Sequence, residues 1–253
     1  MSLIWDGFPC RTACFFKESF IILSSKVLGM ELSKFKDKMP AVVYDLLMQE
    51  GIAELRPSQW KSIDAGLFDG KNLLVCTPTA SGKTLVAEMT ALDAILSERG
   101  KAVYIVPLKA LAAEKYKEFK RKYGKILRVG MSIGDLDASD NYLHSYDLII
   151  CTSEKLDSMI RHHTPWLSEV SVIVVDEIHL LNDPGRGPTL EILITMLRRM
   201  LPKMQLIGLS ATIGNEEEFA SWLGATLVHD TWRPVELKKG IYLDGEVEFY
   251  PEK

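Results

Sequence analysis

Lys83 and Thr84 close the stretch "TPTASGKT" (residues 77–84), which follows the apolar run "NLLVC" and leads into "LVAEMTALDAIL", a segment whose apolar residues have helical spacing. A lysine and a hydroxyl behind a small, flexible loop, where a buried strand hands over to a helix, suit a phosphate. The small residues let several backbone N–H groups turn toward an anion, and the helix that follows adds its positive end. Lys83 can then reach terminal phosphates, and the Thr84 hydroxyl can hold Mg2+. A strict phosphate-loop pattern has glycine at its first position, where this chain has Thr77.

A second constellation complements the loop. In "VIVVDEIH" the adjacent carboxylates of Asp176 and Glu177 leave an apolar run together, and two such charges repel unless a cation uses them. Asp176 would hold Mg2+ directly or through water, while Glu177 would orient and deprotonate the water that attacks a γ-phosphorus. Gln59, in "RPSQW" upstream of the loop, carries an amide able to read both a donor and an acceptor on an adenine edge. Ser210 and Thr212 in "SAT" offer two hydroxyls beyond another apolar run, and a hydrogen bond from His179 could couple the carboxylate loop to that region. No partner His or Cys stands at ligand spacing to make His179 a metal ligand. "PLKALAAEK" and "TSEKLDSMIR" place Lys109, Thr152, Ser153 and Lys155 at run ends beside expected helix starts, where free N–H groups suit the phosphates of a nucleic-acid backbone. No aromatic is interleaved there for base stacking, so backbone contact is the expectation.

These groups need a scaffold that brings several loop ends to one place. Five short apolar runs, "NLLVC", "AVYIV", "DLIIC", "SVIVV" and "QLIGL", lack polar alternation and are separated by helical segments such as "ALAAEKYKEFKRKY", "TLEILITMLRRML" and "NEEEFASWLG". That is the pattern of strands buried on both faces of a parallel sheet. In such sheets ligand groups gather beyond the carboxyl ends of the strands, where every motif above stands. Two helices are expected upstream: "PAVVYDLLMQEG", opened by Pro40 with Val43, Leu46 and Leu47 on one face and Gly51 as a stop, and "RPSQWKSIDAGLFDG", with Pro57 near its start and Trp60, Ile63 and Leu67 facing inward. The ending "PVELKKGIYLDGEVEFY" changes to a period of two around "DG", the mark of a hairpin outside the parallel sheet. The expected architecture is a three-layer α/β domain with a mostly parallel central sheet flanked by helices.

Bulk properties narrow the function classes. A length of 253 residues with 47% hydrophobic content allows one large α/β domain or two small ones. The net charge of −4 means that any nucleic-acid contact comes from local basic surface and not from a cationic chain. Four cysteines, Cys10, Cys14, Cys76 and Cys151, include only one close pair, which supports neither a disulfide framework nor a zinc site and fits a reducing cytoplasm. In residues 1–29, Lys17, Glu18 and Lys26 interrupt the apolar runs, so the segment falls short of the ~20 residues of a membrane span and no membrane association is expected.

In this order the segments resemble the first RecA-like domain of superfamily 2 helicases of the DExH-box group. Within that group they are similar to the Ski-two-like class, and in it to the archaeal DNA-repair helicases that unwind with 3′→5′ polarity. "LRPSQ" resembles the adenine-reading element, "TPTASGKT" the Walker A motif, "VPLKALAAEK" and "TSEK" the strand-tracking motifs, "DEIH" the Walker B box, and "GLSATIGN" the motif coupling hydrolysis to movement. Such families accept Thr or Ala at the position of Thr77. The resemblance implies a RecA-like P-loop NTPase domain over residues 30–230 and, from "WRPVELKKG", a join to a second domain over 231–253, with 1–29 as an extension.

For the site, the resemblance implies ATP contact by Gln59, Thr79, Ala80, Ser81, Gly82, Lys83, Thr84 and Leu85, with Mg2+ at Thr84 and Asp176. Catalysis would fall to Lys83, Asp176 and Glu177, coupling to His179, Ser210 and Thr212, and contact with single-stranded or forked DNA to Pro107, Leu108, Lys109, Thr152, Ser153 and Lys155, with RNA left open. It also implies a monomer in a prokaryotic cytoplasm, associated with the nucleoid, whose partners are the remaining helicase domains; without them this chain would unwind little or not at all. Two other readings compete. One is an RNA helicase or remodeller of the same class. The other is a non-catalytic, nucleotide-gated binding module, against which the water-activating Glu177 stands.

Overall fold

The computed structural model describes residues 29–134, 140–234, 240–243 and 246–249. The expected extension over 1–29 lies outside these residues except for Gly29. Two short strands, β1 (Met30–Glu31) and β2 (Glu54–Leu55), pair antiparallel around helix α1 (Ala41–Gln49) and lead to α2 (Pro57–Asp64). Alternation then begins with β3 (Leu73–Cys76), α3 (Lys83–Leu96), β4 (Lys101–Val106), α4 (Lys109–Tyr123), β5 (Val129–Ser132), β6 (Leu148–Thr152) and α5 (Ser153–Arg161). It continues through β7 (Val170–Val175), α6 (Gly187–Met200), β8 (Gln205–Ser210), α7 (Glu216–Leu223) and β9 (Thr226–His229).

β3 to β9 form one parallel sheet in the order β5-β6-β4-β7-β8-β3-β9. The five expected runs are its five central strands. The two edge strands, "VGMS" and "TLVH", are those the run pattern missed. An edge strand has a neighbour on one side only, so it needs no continuous apolar run; in β9 Thr226 and His229 are exposed and only Val228 is buried.

Within the central strands successive side chains point to opposite faces, and both faces are covered. Leu73, Val75, Tyr104 and Val174 pack with Val43 and Leu47 of α1, Val86 of α3 and Phe119 of α4. Leu74, Cys76, Ile105 and Val175 pack with Leu156 of α5, Leu193 of α6 and Leu223 of α7. Each fully buried Leu, Val or Ile contributes about 1.5–3 kcal/mol, which is why these strands read as unbroken apolar runs. The three layers thus present the carboxyl ends of β3, β4, β6, β7 and β8 along one edge, with the motif residues in the loops beyond them.

Residues Gly29–Trp232 make one compact unit. The expected hairpin belongs to the other: β10 (Gly240–Leu243) pairs antiparallel with β11 (Glu246–Phe249), Leu243 opposite Glu246, on either side of the "DG" dipeptide. Among the described residues no helix is long and apolar enough to cross a membrane.

Candidate active site

Beyond β3 the chain turns through Gly82, at φ 92° and ψ 25°, and α3 starts at Lys83. Glycine is required at that turn for two reasons. A side chain rarely adopts this φ, and a Cβ would stand 2.5 Å from Gln59 Nε2 and 3.1 Å from Arg56 Cδ. The N-terminal end of α2 holds the loop by its carbonyls: the Arg56 guanidinium donates to Ala80 O at 3.0 Å, the Ser58 hydroxyl to Ser81 O at 3.2 Å, and the Gln59 amide to Gly82 O at 3.0 Å. In a planar trans peptide the N–H points opposite the C=O, so the N–H groups of Gly82 and Lys83 face away from α2. Thr77, at the position where a strict pattern has glycine, is buried and joins its hydroxyl to that of Ser81 at 2.7 Å. The departure from the pattern therefore pins the loop and does not block it.

Lys83 lies over this loop, 9% exposed, and donates to Thr77 O at 3.0 Å and Ser210 O at 2.8 Å. Burial pushes its pKa down from the ordinary lysine value, while the charges of Glu177 and Asp176 pull it back up. Thr84 is half-buried, its hydroxyl 3.4 Å from Lys115 Nζ, and Leu85 turns its side chain into the core. Thr79 and Ala80 are exposed at the loop tip. Gln59, expected to present its amide to an adenine, is 4% exposed and spends that amide on the protein. Its Oε1 accepts from Arg56 N–H at 2.8 Å and its Nε2 braces Gly82.

β7 delivers the carboxylates. Asp176 N–H donates to Ile105 O at 2.9 Å, extending the β4–β7 ladder by one rung. Its Oδ2 accepts the Tyr104 hydroxyl at 2.8 Å and its Oδ1 accepts the Glu177 N–H at 3.0 Å. Tyr104 is 1% exposed; burial and then the Asp176 charge hold its pKa well above the usual phenol value. Glu177 takes a left-handed backbone, φ 50°, as does Ala80 at φ 65°. Such strain costs on the order of 1–3 kcal/mol per residue and is a mark of working sites. The Asp176 oxygens each keep a lone pair. With the Thr84 hydroxyl they are hard oxygen donors of the kind Mg2+ would use, one or two of them, with water and phosphate filling its other positions. Among the described residues no cluster of three or more His, Cys, Asp or Glu could cage a metal by itself.

His179 Nδ1 lies 3.4 Å from Glu177 Oε2 and accepts from Ala211 N–H at 3.4 Å. The link between the carboxylate loop and "SAT" thus runs to the Ala211 backbone, whereas Ser210 is fully buried and Thr212 exposed. One nitrogen cannot donate to a carboxylate and accept from an amide at once, so the proton's place on the imidazole selects one partner or the other.

A profile of the DEAD/DEAH box helicase family matches residues 56–219, a span that contains every loop residue described above. The chain belongs to the DEAD/DEAH box helicase family. It is 53% identical over 214 residues to the ATP-dependent DNA helicase Hel308 of Methanococcus vannielii, a match covering 82% of this chain and 28% of that protein. To Hel308 of Methanocaldococcus jannaschii it is 54% identical over 214 residues, covering 82% of this chain and 18% of the other. Its fold is similar to the DUF1998 helicase MrfA solved bound to DNA, with a TM-score of 0.69, 25% identity, and coverage of 81% of this chain and 30% of that one. The chain therefore spans less than a third of the length of these relatives.

The two segments expected to meet a nucleic-acid backbone divide on burial. Leu108 is 43% exposed and Lys109 is exposed at the start of α4, with Pro107 half-buried behind them. Thr152 and Ser153 are buried at the start of α5, where the Thr152 hydroxyl caps the helix by accepting Lys155 N–H at 3.4 Å. Lys155 itself is buried. Its side chain is 2% exposed and its ammonium lies 3.0 Å from the Asp140 carboxylate, which also accepts the Ser132 hydroxyl. That charge is neutralised inside the protein by Asp140. Sequence reasoning passed over Arg56, Ser58, Tyr104 and Asp140. Arg56 and Ser58 stand in the same "RPSQ" segment as Gln59, but their partners lie 23 or 24 residues away, which no local pattern reveals.

Proposed function

We propose that this domain is the nucleotide-binding motor of an ATP-dependent helicase that acts on DNA, coupling hydrolysis of Mg·ATP to movement along a single strand. One observation carries the reading: the loop after β3 turns at Gly82 into a helix that starts at Lys83, with the Gly82 and Lys83 N–H groups turned away from α2 and the buried Lys83 ammonium bridging Thr77 O and Ser210 O. The outward N–H groups of Gly82 and Lys83 would receive phosphate oxygens, and Lys83 would exchange its two carbonyl partners for them. Asp176 and Thr84 would hold Mg2+, which supplies charge neutralisation for the β- and γ-phosphates. Glu177 would orient the attacking water and take its proton. The names of the Hel308 relatives and the DNA-bound MrfA favour DNA over RNA. Lys109 and the N-terminal ends of α4 and α5 are the groups proposed to meet its backbone. On this reading the protein is a cytoplasmic, nucleoid-associated monomer that works together with further helicase domains.

The test is nucleotide binding and ATP turnover by the chain, with single-stranded DNA or RNA of equal length present or absent. Lys83→Ala is expected to weaken nucleotide binding at least ~10-fold. Glu177→Gln is expected to keep binding and lower whatever turnover the wild type shows by about 10²-fold or more. Binding that survives Lys83→Ala unchanged, or turnover indifferent to Glu177→Gln, would remove the proposed roles.

A further inference from the structure

Tyr104 belongs to none of the motifs, yet it is the side chain in direct contact with Asp176 Oδ2. It sits in the middle of β4, opposite Val174 of β7. Its ring lies against Phe119 of α4, with centroids 5.3 Å apart and planes at 75°. A buried phenol needs a hydrogen-bond partner, and an aliphatic residue at this position would fill the core without that demand. The hydroxyl instead runs along the sheet to the carboxylate two positions beyond Val174 and meets it at 2.8 Å. With Oδ1 held by the Glu177 N–H, both oxygens of Asp176 are located, and their remaining lone pairs are directed by the protein before any ligand arrives.

We infer that Tyr104 is a positioning residue for Mg2+ binding, its hydroxyl fixing the Asp176 carboxylate in the orientation that receives the ion. The inference rests on the reading of Asp176 as a Mg2+ ligand. Carboxylates that bind metals are commonly oriented by a hydrogen bond from outside the coordination sphere, and loss of such a partner typically costs about 10–100-fold in metal affinity. A phenol donor suits this place because it is neutral. It orients the carboxylate without bringing a positive charge that would repel the ion.

The experiment is a titration of fluorescent methylanthraniloyl-ADP into the chain at a series of Mg2+ concentrations, for wild type, Tyr104→Phe, Phe119→Leu and Asp176→Ala. Tyr104→Phe removes one oxygen and keeps the ring. It is expected to raise the half-saturating Mg2+ concentration on the order of 10-fold while leaving nucleotide affinity in EDTA unchanged. Phe119→Leu loosens the packing around the same ring and keeps the hydroxyl, so it should lower the melting temperature without moving the Mg2+ titration. A Tyr104→Phe titration that superimposes on wild type overturns the inference, as does an equal shift from Phe119→Leu. If Asp176→Ala abolishes the Mg2+ dependence while Tyr104→Phe does not alter it, the inference alone fails; if Asp176→Ala has no effect either, the reading of Asp176 fails with it.

Discussion

Gly82→Ala tests the loop geometry most directly, because its cost can be worked from two independent contributions. The backbone there is left-handed at φ 92°, and a side chain in such a conformation costs about 1–2 kcal/mol. The new Cβ would also stand 2.5 Å from Gln59 Nε2, so the amide must leave and the Gln59–Gly82 hydrogen bond is lost, at roughly 1 kcal/mol. Together these give about 2–3 kcal/mol, equivalent to roughly 5–10 °C in melting temperature for a domain of this size. To the extent that the loop escapes the strain by refolding locally, the same energy appears as lost nucleotide affinity, with each 1.4 kcal/mol worth about a factor of ten. Thermal unfolding and methylanthraniloyl-ADP binding of the variant measure the two shares. The clash also predicts non-additivity: once Gln59→Ala has removed the amide, adding Gly82→Ala should cost less than it does in the wild type. A Gly82→Ala protein that melts within 2 °C (roughly 0.5–1 kcal/mol) of wild type and binds nucleotide equally well would refute the reasoning, and strict additivity would refute the proposed contact.

Two further outcomes follow from the buried charges. Lys155→Met leaves Asp140 without its ammonium partner and should destabilise the domain by about 3–5 kcal/mol in denaturant unfolding, with Lys155→Met/Asp140→Asn recovering part of the loss; unchanged stability accompanied by weaker DNA binding would restore Lys155 as a phosphate contact. Burial lowers the Lys83 pKa below its ordinary 10.5, so nucleotide affinity should begin to fall on the alkaline side before pH 10.5. The stability contribution of the same group runs the other way. As pH rises through the lowered pKa the folded chain sheds a buried charge that the unfolded chain still carries, so folding is favoured while phosphate binding is lost. An affinity profile flat through pH 10.5, or an alkaline limb that persists in Lys83→Ala, would count against this assignment.

Residue type and spacing alone determined the strands buried on both faces, since burial on two sides leaves no room for polar alternation, while the edges β5 and β9, each paired on one side only, carried no such run. They also located the proposed site. A glycine-bearing loop ahead of a helix, and two adjacent carboxylates at a strand end, are local arrangements whose backbone requirements are written in consecutive residues. Partner choice was decided only by the tertiary structure. Gln59 braces the loop at Gly82, Lys155 is half of a buried ion pair, and the Tyr104 hydroxyl meets Asp176. Each of these polar groups is desolvated on folding and must find a compensating partner. Which partner lies within reach, 23 residues away for Gln59 or 72 for Tyr104, depends on sheet register and helix placement that no single stretch of chain contains.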